Sequence, residues 1–219
     1  MTTLFTNRHS GFSVAPFDSF NLGLHVGDNF EMVMQNRELL QKQTAALQFM
    51  NQVHGDSIVE IREVISHPTA DALITQVPGI ALAVLVADCI PLLLSSRTVI
   101  AAVHVGRKGL FNKIALKTIS RMQELGAENI HAQLGPSICG RCYEVNAEIV
   151  EEAKDDYQES ILETESGKAS LDLPRALIKD LVHAGITYEA SQICTKENLN
   201  YFSYRRSSVT GRTAGVIWL

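Results

Sequence analysis

Between Ile80 and Val105 the chain reads IALAVLVADCIPLLLSSRTVIAAVHV, three apolar segments at 80–87, 91–95 and 98–104 broken only by short polar interruptions. Segments of this length without apolar–polar alternation read as strands buried on both faces, because a strand with one wet face shows a period of two. Other elements must therefore cover them above and below. Two further segments of the same kind, 129–134 and 212–218, extend the strand set.

Helical patterns supply the cover. Residues 29–48 follow Asp28 as an N-cap and carry Val33, Leu40 and Leu47 at seven-residue steps. Residues 111–125 place Phe111, Ile114, Ala115, Thr118, Ile119 and Met122 on one face and meet Gly126 at the C-terminal cap. A third helix runs over about 146–156 behind Asn146, and a fourth begins behind Asp172 with Pro174 in its first turn and stops before Gly185. The expectation is an α/β (α+β) chain with mixed β-sheets, the central sheet covered on both faces and helices on the outer faces, in a single domain over 1–219. A chain of 219 residues that is 46% hydrophobic has ample core for it.

Charge removes several function classes. Nineteen Lys and Arg stand against 24 Asp and Glu, a net charge of −5, and no basic run is long enough to follow a phosphate backbone, so nucleic acid is excluded as a partner. The apolar run 79–94 is cut by Asp88, Cys89 and Pro91, which argues against a membrane span. The opening MTTLFTNRHSGFS lacks the apolar core of a signal peptide, so the expected location is the cytoplasm. Four cysteines in such a setting are reduced thiols available to a metal or to catalysis.

Cys89 and His104 each follow the last apolar residues of neighbouring strand segments, close enough in sequence for the chain to turn and bring them together. Spacing alone leaves them open to a second reading, a small buried hydrophobe and a satisfied turn residue. His54, in the polar loop NQVHGD after the first long helix, shifts the balance. Two imidazoles and one thiolate are a set that zinc accepts, and three protein ligands leave a fourth position for water or substrate. The wide spacing means that the fold would have to assemble the site.

Cys139 and Cys142 form the one C-x-x-C of the chain. No second such pair exists, and the continuation Tyr143-Glu144 only loosely resembles a thioredoxin-like helix start, so the pair is read as structural and not as a metal or redox site.

The segments TNRHSGFSVAPFDSFNLGLHVGD, NQVHG, DALIT, ADCIPLLL, AVHVGRKG, LGPSICGRCYEV and CTKENLNYFSYRRSSVTGRTAGVI span nearly the whole chain. In this combination the sequence resembles the multicopper polyphenol oxidoreductase (laccase-like) family, whose bacterial members are also described as purine nucleoside phosphorylases and peptidoglycan editing factors. The resemblance implies a metal and catalytic site on His54, Cys89 and His104, an α/β fold with mixed sheets enclosing it, and phosphorolysis of adenosine, inosine and methylthioadenosine with adenosine deamination as a side activity. The chain departs from the family where HAGWRG is usual: HVGRKG keeps the histidine and its glycine but puts Arg107 and Lys108 in place of tryptophan and arginine. Cys139 likewise stands where glycine is more usual.

The donor set favours Zn2+ with Cu2+ as the alternative, since the seven histidines contain no His-x-His pair and a blue-copper centre wants an axial Met. A nucleoside and phosphate as partners require an anion site and a face for the base. YFSYRR offers Arg205 and Arg206 beside Phe202 and Tyr204, although the same residues suit the core and edge of a final strand. Arg8 and Asn21, in glycine-containing loops that match family motifs, are further substrate-binding candidates. His25 and Asp88 are candidates for acid–base or ligand-supporting roles, with the Asp88 side chain expected to point away from Cys89. Two other classes stay open: Cys89 as a nucleophile activated by His104 or His54, and a structural zinc in a binding or editing factor.

Overall fold

The computed structural model describes residues 1–219. In chain order the elements are β1 (Thr2–Phe5), α1 (Phe30–Gln41), β2 (Ala46–Gln48), β3 (Ile58–Glu60), β4 (Ala72–Thr75), β5 (Ile80–Val86), β6 (Ile90–Ser95), β7 (Ile100–Val105), α2 (Arg107–Phe111), α3 (Ile114–Glu124), β8 (His131–Leu134), α4 (Ala147–Tyr157), β9 (Ile161–Glu163), β10 (Ala169–Leu171), α5 (Leu173–His183), β11 (Thr187–Ala190) and β12 (Thr213–Trp218). They form a four-stranded sheet ordered β1-β12-β5-β2, a six-stranded sheet ordered β11-β8-β6-β7-β4-β3, and a small β9–β10 pair. Both larger sheets are mixed: β2 runs parallel to β5, β3 to β4 and β11 to β8, and their remaining pairings are antiparallel.

The unbroken apolar character of β5 follows from what covers each face. Ile80, Leu82, Val84 and Val86 share a core with Leu73, Leu93, Ile100 and Ala102 of the six-stranded sheet. The alternate residues Ala81, Ala83 and Leu85 pack instead with Leu22 and with Leu40 of α1. On β7 the same alternation sends Ala101, Val103 and Val105 outward against Ile114, Ile119 and Met122 of α3. Leu82 and Leu93 are fully buried between the sheets, where truncation to alanine costs about 2–5 kcal/mol. The mixed sheets with helices on their outer faces are as expected, and the two larger sheets pack face to face.

Two helices differ from their sequence patterns. The first ends at Gln41 and not near residue 48, because Ala46–Gln48 pairs in parallel with Ile80–Leu82 and buries Leu47 from a strand. Its N-cap is Asn29, whose Oδ1 accepts from Glu31 and Met32 at 2.9 and 3.1 Å, while Asp28 is taken up by Asn21. The pattern over 111–125 is divided between α2 and α3 by Lys113, which adopts φ 59°. That break turns its ammonium toward the Tyr157 hydroxyl at 2.6 Å and Asp180 at 3.3 Å. Asn146 and Asp172 cap α4 and α5 as expected, each accepting a backbone N–H three residues on. No helix is long and apolar enough to cross a membrane.

Candidate metal centre

Strand register brings Cys89 and His104 together. In the antiparallel β6–β7 pair Pro91 lies opposite His104, and alternation places Cys89, Pro91 and Leu93 on the same side as Ile100, Ala102 and His104, facing the other sheet. Both ligands therefore stand at the rim of the layer between the sheets. Gly106 follows directly on β7, and a Cβ there would lie 3.1 Å from the Cys89 Sγ and 3.2 Å from the His54 Cδ2. Its φ of −86° is open to any residue, so the need for glycine here is one of space.

His54 arrives on the loop after β2, separated from the first helix by that strand. The residue itself adopts φ 59°, an uncommon left-handed conformation for a non-glycine side chain. Three successive N–H groups hold the loop, those of Val53, His54 and Gly55, donating to the Asp71 carboxylate at 3.2, 3.0 and 2.7 Å. The same carboxylate lies 2.8 Å from His104 Nδ1, leaving Nε2 free to face an ion. Asp71, within the DALIT segment, was not singled out from the sequence. A strand-start aspartate before an apolar run was the available signal, and it carries no partner information by itself.

Electrostatics favour the ligand forms. Burial opposes ionisation of the Cys89 thiol, but the His104 charge and hydrogen bonds from both histidines outweigh it and bring the thiol down to about 6. Burial likewise opposes protonation of His104, and the Cys89 charge with the Asp71 hydrogen bond raises it to about 9. Both shifts favour a thiolate–imidazolium pair in the metal-free site. The ligand atoms of His54, Cys89 and His104 all lie within 4.8 Å of one another, and the two imidazoles meet edge to face with centroids 4.6 Å apart. One thiolate and two imidazoles on this spacing fit a zinc-type ion with an open position.

The triad lines a cleft of about 480 Å³. Its walls bring in His25, Gln52, Asp88, Arg107, Lys108, Tyr143, Tyr204, Arg205 and Arg212. Four cations, one of which (Arg107) is paired with Glu152 at 3.1 Å, outnumber the Asp88 carboxylate and the Cys89 thiolate and suit an anionic ligand. β5 ends at Val86 and Asp88 adopts φ 93° in the bend that follows, so strand alternation does not set its side chain; its carboxylate accepts from Thr195 Oγ1 at 2.7 Å and from the Arg205 N–H at 2.6 Å. His25 is held toward its neutral form by partial burial and by the charges of Arg212, Arg37 and His54.

The other sequence candidates divide. The segment 201–207 forms turns and not a strand. Arg205 reaches the cleft, its guanidinium 4.7 Å over the Tyr143 ring and donating to the Glu144 carbonyl at 2.8 Å. Arg206 does not line it, because its guanidinium donates to the carbonyls of Thr195, Lys196, Asn198 and Tyr201. Arg8 is paired with Asp18 at 2.9 Å and lies over Phe202, outside the cleft lining. Asn21 is fully buried and joins Gly23, Asp28 and the Arg212 N–H. Through that last bond it positions a residue that does line the cleft. Arg212 itself was not read from the sequence.

Two mixed sheets face to face, helices outside, and an open His2Cys ligand set at their common rim define an α+β protein with a candidate catalytic metal centre. The chain belongs to the family described as multi-copper polyphenol oxidoreductase laccase, whose sequence model matches residues 2–219. It is 41% identical to a purine nucleoside phosphorylase of Corynebacterium glutamicum over 99% of this chain and 93% of that protein. It is 35% identical to a purine nucleoside phosphorylase of Haemophilus influenzae over 97% and 92% of the two chains. Among solved structures, protein NMB0706 of Neisseria meningitidis superposes with a TM-score of 0.92 at 34% identity, covering 99% of this chain and 93% of that one.

Proposed function

We propose that the chain is a zinc-dependent purine nucleoside phosphorylase, acting on adenosine, inosine and methylthioadenosine with phosphate to give the free base and the corresponding ribose 1-phosphate, with adenosine deamination as a side activity. One observation carries the proposal: His54, Cys89 and His104 converge in a cleft that also presents Arg107, Lys108, Arg205 and Arg212. The names of the full-length relatives point to the same reaction. The His54–Cys89–His104 set holds only two imidazoles, which suits zinc better than a multicopper centre.

A bound zinc ion supplies Lewis acidity beside the reacting groups. The protein groups do the rest of the positioning. Asp71 fixes the ring of His104 and the loop of His54 in one contact set. The cleft cations hold phosphate, one of whose oxygens forms a bond to the ribose C1′ as the C1′–N9 bond breaks and its electron pair leaves with the purine. The neutral His25 imidazole offers an N–H to the departing base, and Tyr204, 56% exposed, offers an aromatic face to it.

Purified protein given inosine should release hypoxanthine only when phosphate is present, and Cys89→Ala should lower that rate by about a hundredfold or more. Absence of hypoxanthine at every zinc loading sinks the proposal. The Cys89–His104 ion pair favours one other reading, a thiol hydrolase acting on an amide such as a peptidoglycan precursor. In that case iodoacetamide would abolish activity without releasing zinc.

A further inference from the structure

The C-x-x-C pair lies outside the cleft lining, and the fold adds two partners to it. Cys139 and Cys142 sit on one tight turn, with the N–H groups of Cys142 and Tyr143 both donating to the Cys139 carbonyl at 3.0 and 3.2 Å. A separate segment runs parallel to its approach: Ser137 bridges Cys194, and the Thr195 N–H donates to the Ser137 carbonyl at 3.0 Å. A turn closed by the Asn198 N–H on the Cys194 carbonyl at 2.9 Å then carries Glu197 back over the thiols. The three Sγ atoms and a Glu197 carboxylate oxygen all lie within 4.8 Å of one another. The Cys142 thiol donates to Glu197 Oε1 at 3.4 Å, and the Cys139 N–H donates to the Cys194 Sγ at 3.4 Å.

Thiols used only as small hydrophobes gather among aliphatic side chains, whereas here Ile138 is the one aliphatic residue buried with Cys142 and Cys194, and a carboxylate faces the group. Dithiol redox chemistry needs a stabilised thiolate, and burial with the neighbouring thiols pushes Cys139 and Cys142 the other way. A cation reverses that balance, because a coordinated thiol gives up its proton. We propose that Cys139, Cys142, Cys194 and Glu197 form a second metal site, closed by four protein ligands and selective for a thiophilic divalent ion of the zinc class. On binding, the three thiols release three protons to solvent and the ion takes three thiolates and the carboxylate, with no change of oxidation state.

Four protein ligands leave no open position, so the site is structural. Its place in the fold gives it a task. It fastens the 137–143 segment, which carries Tyr143, to the 193–197 segment, whose Thr195 holds Asp88 next to Cys89. The Ile138 N–H also donates to the Asp88 carbonyl at 2.9 Å. Asp88 in turn anchors the backbone of Arg205. Loss of the ion would therefore loosen the cleft wall and leave the His54–Cys89–His104 ligands in place.

The test uses the full chain carrying Cys89→Ala, in which every remaining thiol belongs to the proposed site. Reduced, metal-free protein titrated with Co2+ should bind one equivalent with a thiolate-to-cobalt charge-transfer band, displaced by one equivalent of zinc. Adding Cys142→Ser should abolish the band. Adding Glu197→Gln instead, an exposed change that leaves the buried thiols intact, should keep the band and weaken binding at least tenfold. A Cys89→Ala chain that shows no band overturns the inference, as does a band unchanged by both second substitutions. Wild-type chain that binds one ion while Cys89→Ala also binds one would support this site and count against the proposed catalytic centre, so the two readings fail separately.

Discussion

The Asp71 carboxylate and the His104 imidazole meet at 2.8 Å with side chains 0% and 3% exposed, and that carboxylate also receives all three N–H groups of the Val53–Gly55 loop. One buried acid thus sets two of the three candidate metal ligands. Asp71→Asn keeps the shape but turns an amide N–H2 toward groups that are themselves donors. Zinc affinity should fall about 10–100-fold, and unfolding free energy in urea should drop by about 1–3 kcal/mol. Unchanged affinity in a chelator competition would remove Asp71 from this role. The sign with pH follows from the lowered Asp71 pKa: its stabilisation is present above the ordinary carboxylate range and is lost as acid protonates it.

Gly106→Ala separates crowding of the ligands from stability of the fold. The new methyl would stand 3.1 Å from the Cys89 Sγ and 3.2 Å from His54, while the backbone conformation is one alanine adopts freely. Because the neighbours are a cleft-lining thiol and an exposed imidazole that can give way, the metal-free chain should lose only about 1 kcal/mol, the low end of overpacking penalties, while zinc affinity should fall well over tenfold. Equal losses in both would mean that the glycine serves folding and not the site.

How much of this was legible depended on whether a residue's role is local. The apolar segments of β5, β6 and β7 announced themselves because both faces of each strand are buried, and the positions of Cys89 and His104 at their ends followed. That β5 is covered by a helix on one face and a second sheet on the other was not legible, because either cover selects the same aliphatic residues. Leu47 extended a helical pattern that the parallel pairing of β2 with β5 overrode. Asp71 escaped notice for a similar reason: its four hydrogen-bond partners lie 16 to 33 residues away in sequence. The adjacent arginines 205 and 206 carried no mark of which one faces the cleft.

That pair gives the next expected outcome. Arg205 lines the cleft with its guanidinium over Tyr143, while Arg206 holds four backbone carbonyls of the 195–201 turns. Arg205→Ala should raise the KM for phosphate about tenfold or more with little change in melting temperature, the loss of one charge-assisted contact. Arg206→Ala should leave the carbonyls without donors, lower stability by about 1–3 kcal/mol, and barely alter that KM in the folded fraction. Steady-state kinetics against phosphate, paired with thermal melts, distinguish them. The opposite pattern would reassign the anion site.

The Cys89–His104 pair sets a pH dependence that the metal-free chain should display. The Cys89 thiol is brought from an ordinary value of 9.0 to about 6, whereas burial and neighbouring thiols push Cys139 and Cys142 upward. Only the thiolate is nucleophilic, so iodoacetamide should label Cys89 selectively at neutral pH. Its rate should rise as pH climbs through about 6 and level off below pH 8, with His104 protonated until about 9. Bound zinc should suppress the labelling across the whole range by occupying the sulfur. Peptide mapping by mass spectrometry between pH 5 and pH 9 reads both effects. A half-point near the ordinary thiol value would mean that the thiolate–imidazolium pair does not form, and that the ligand sulfur is ionised only when the metal arrives.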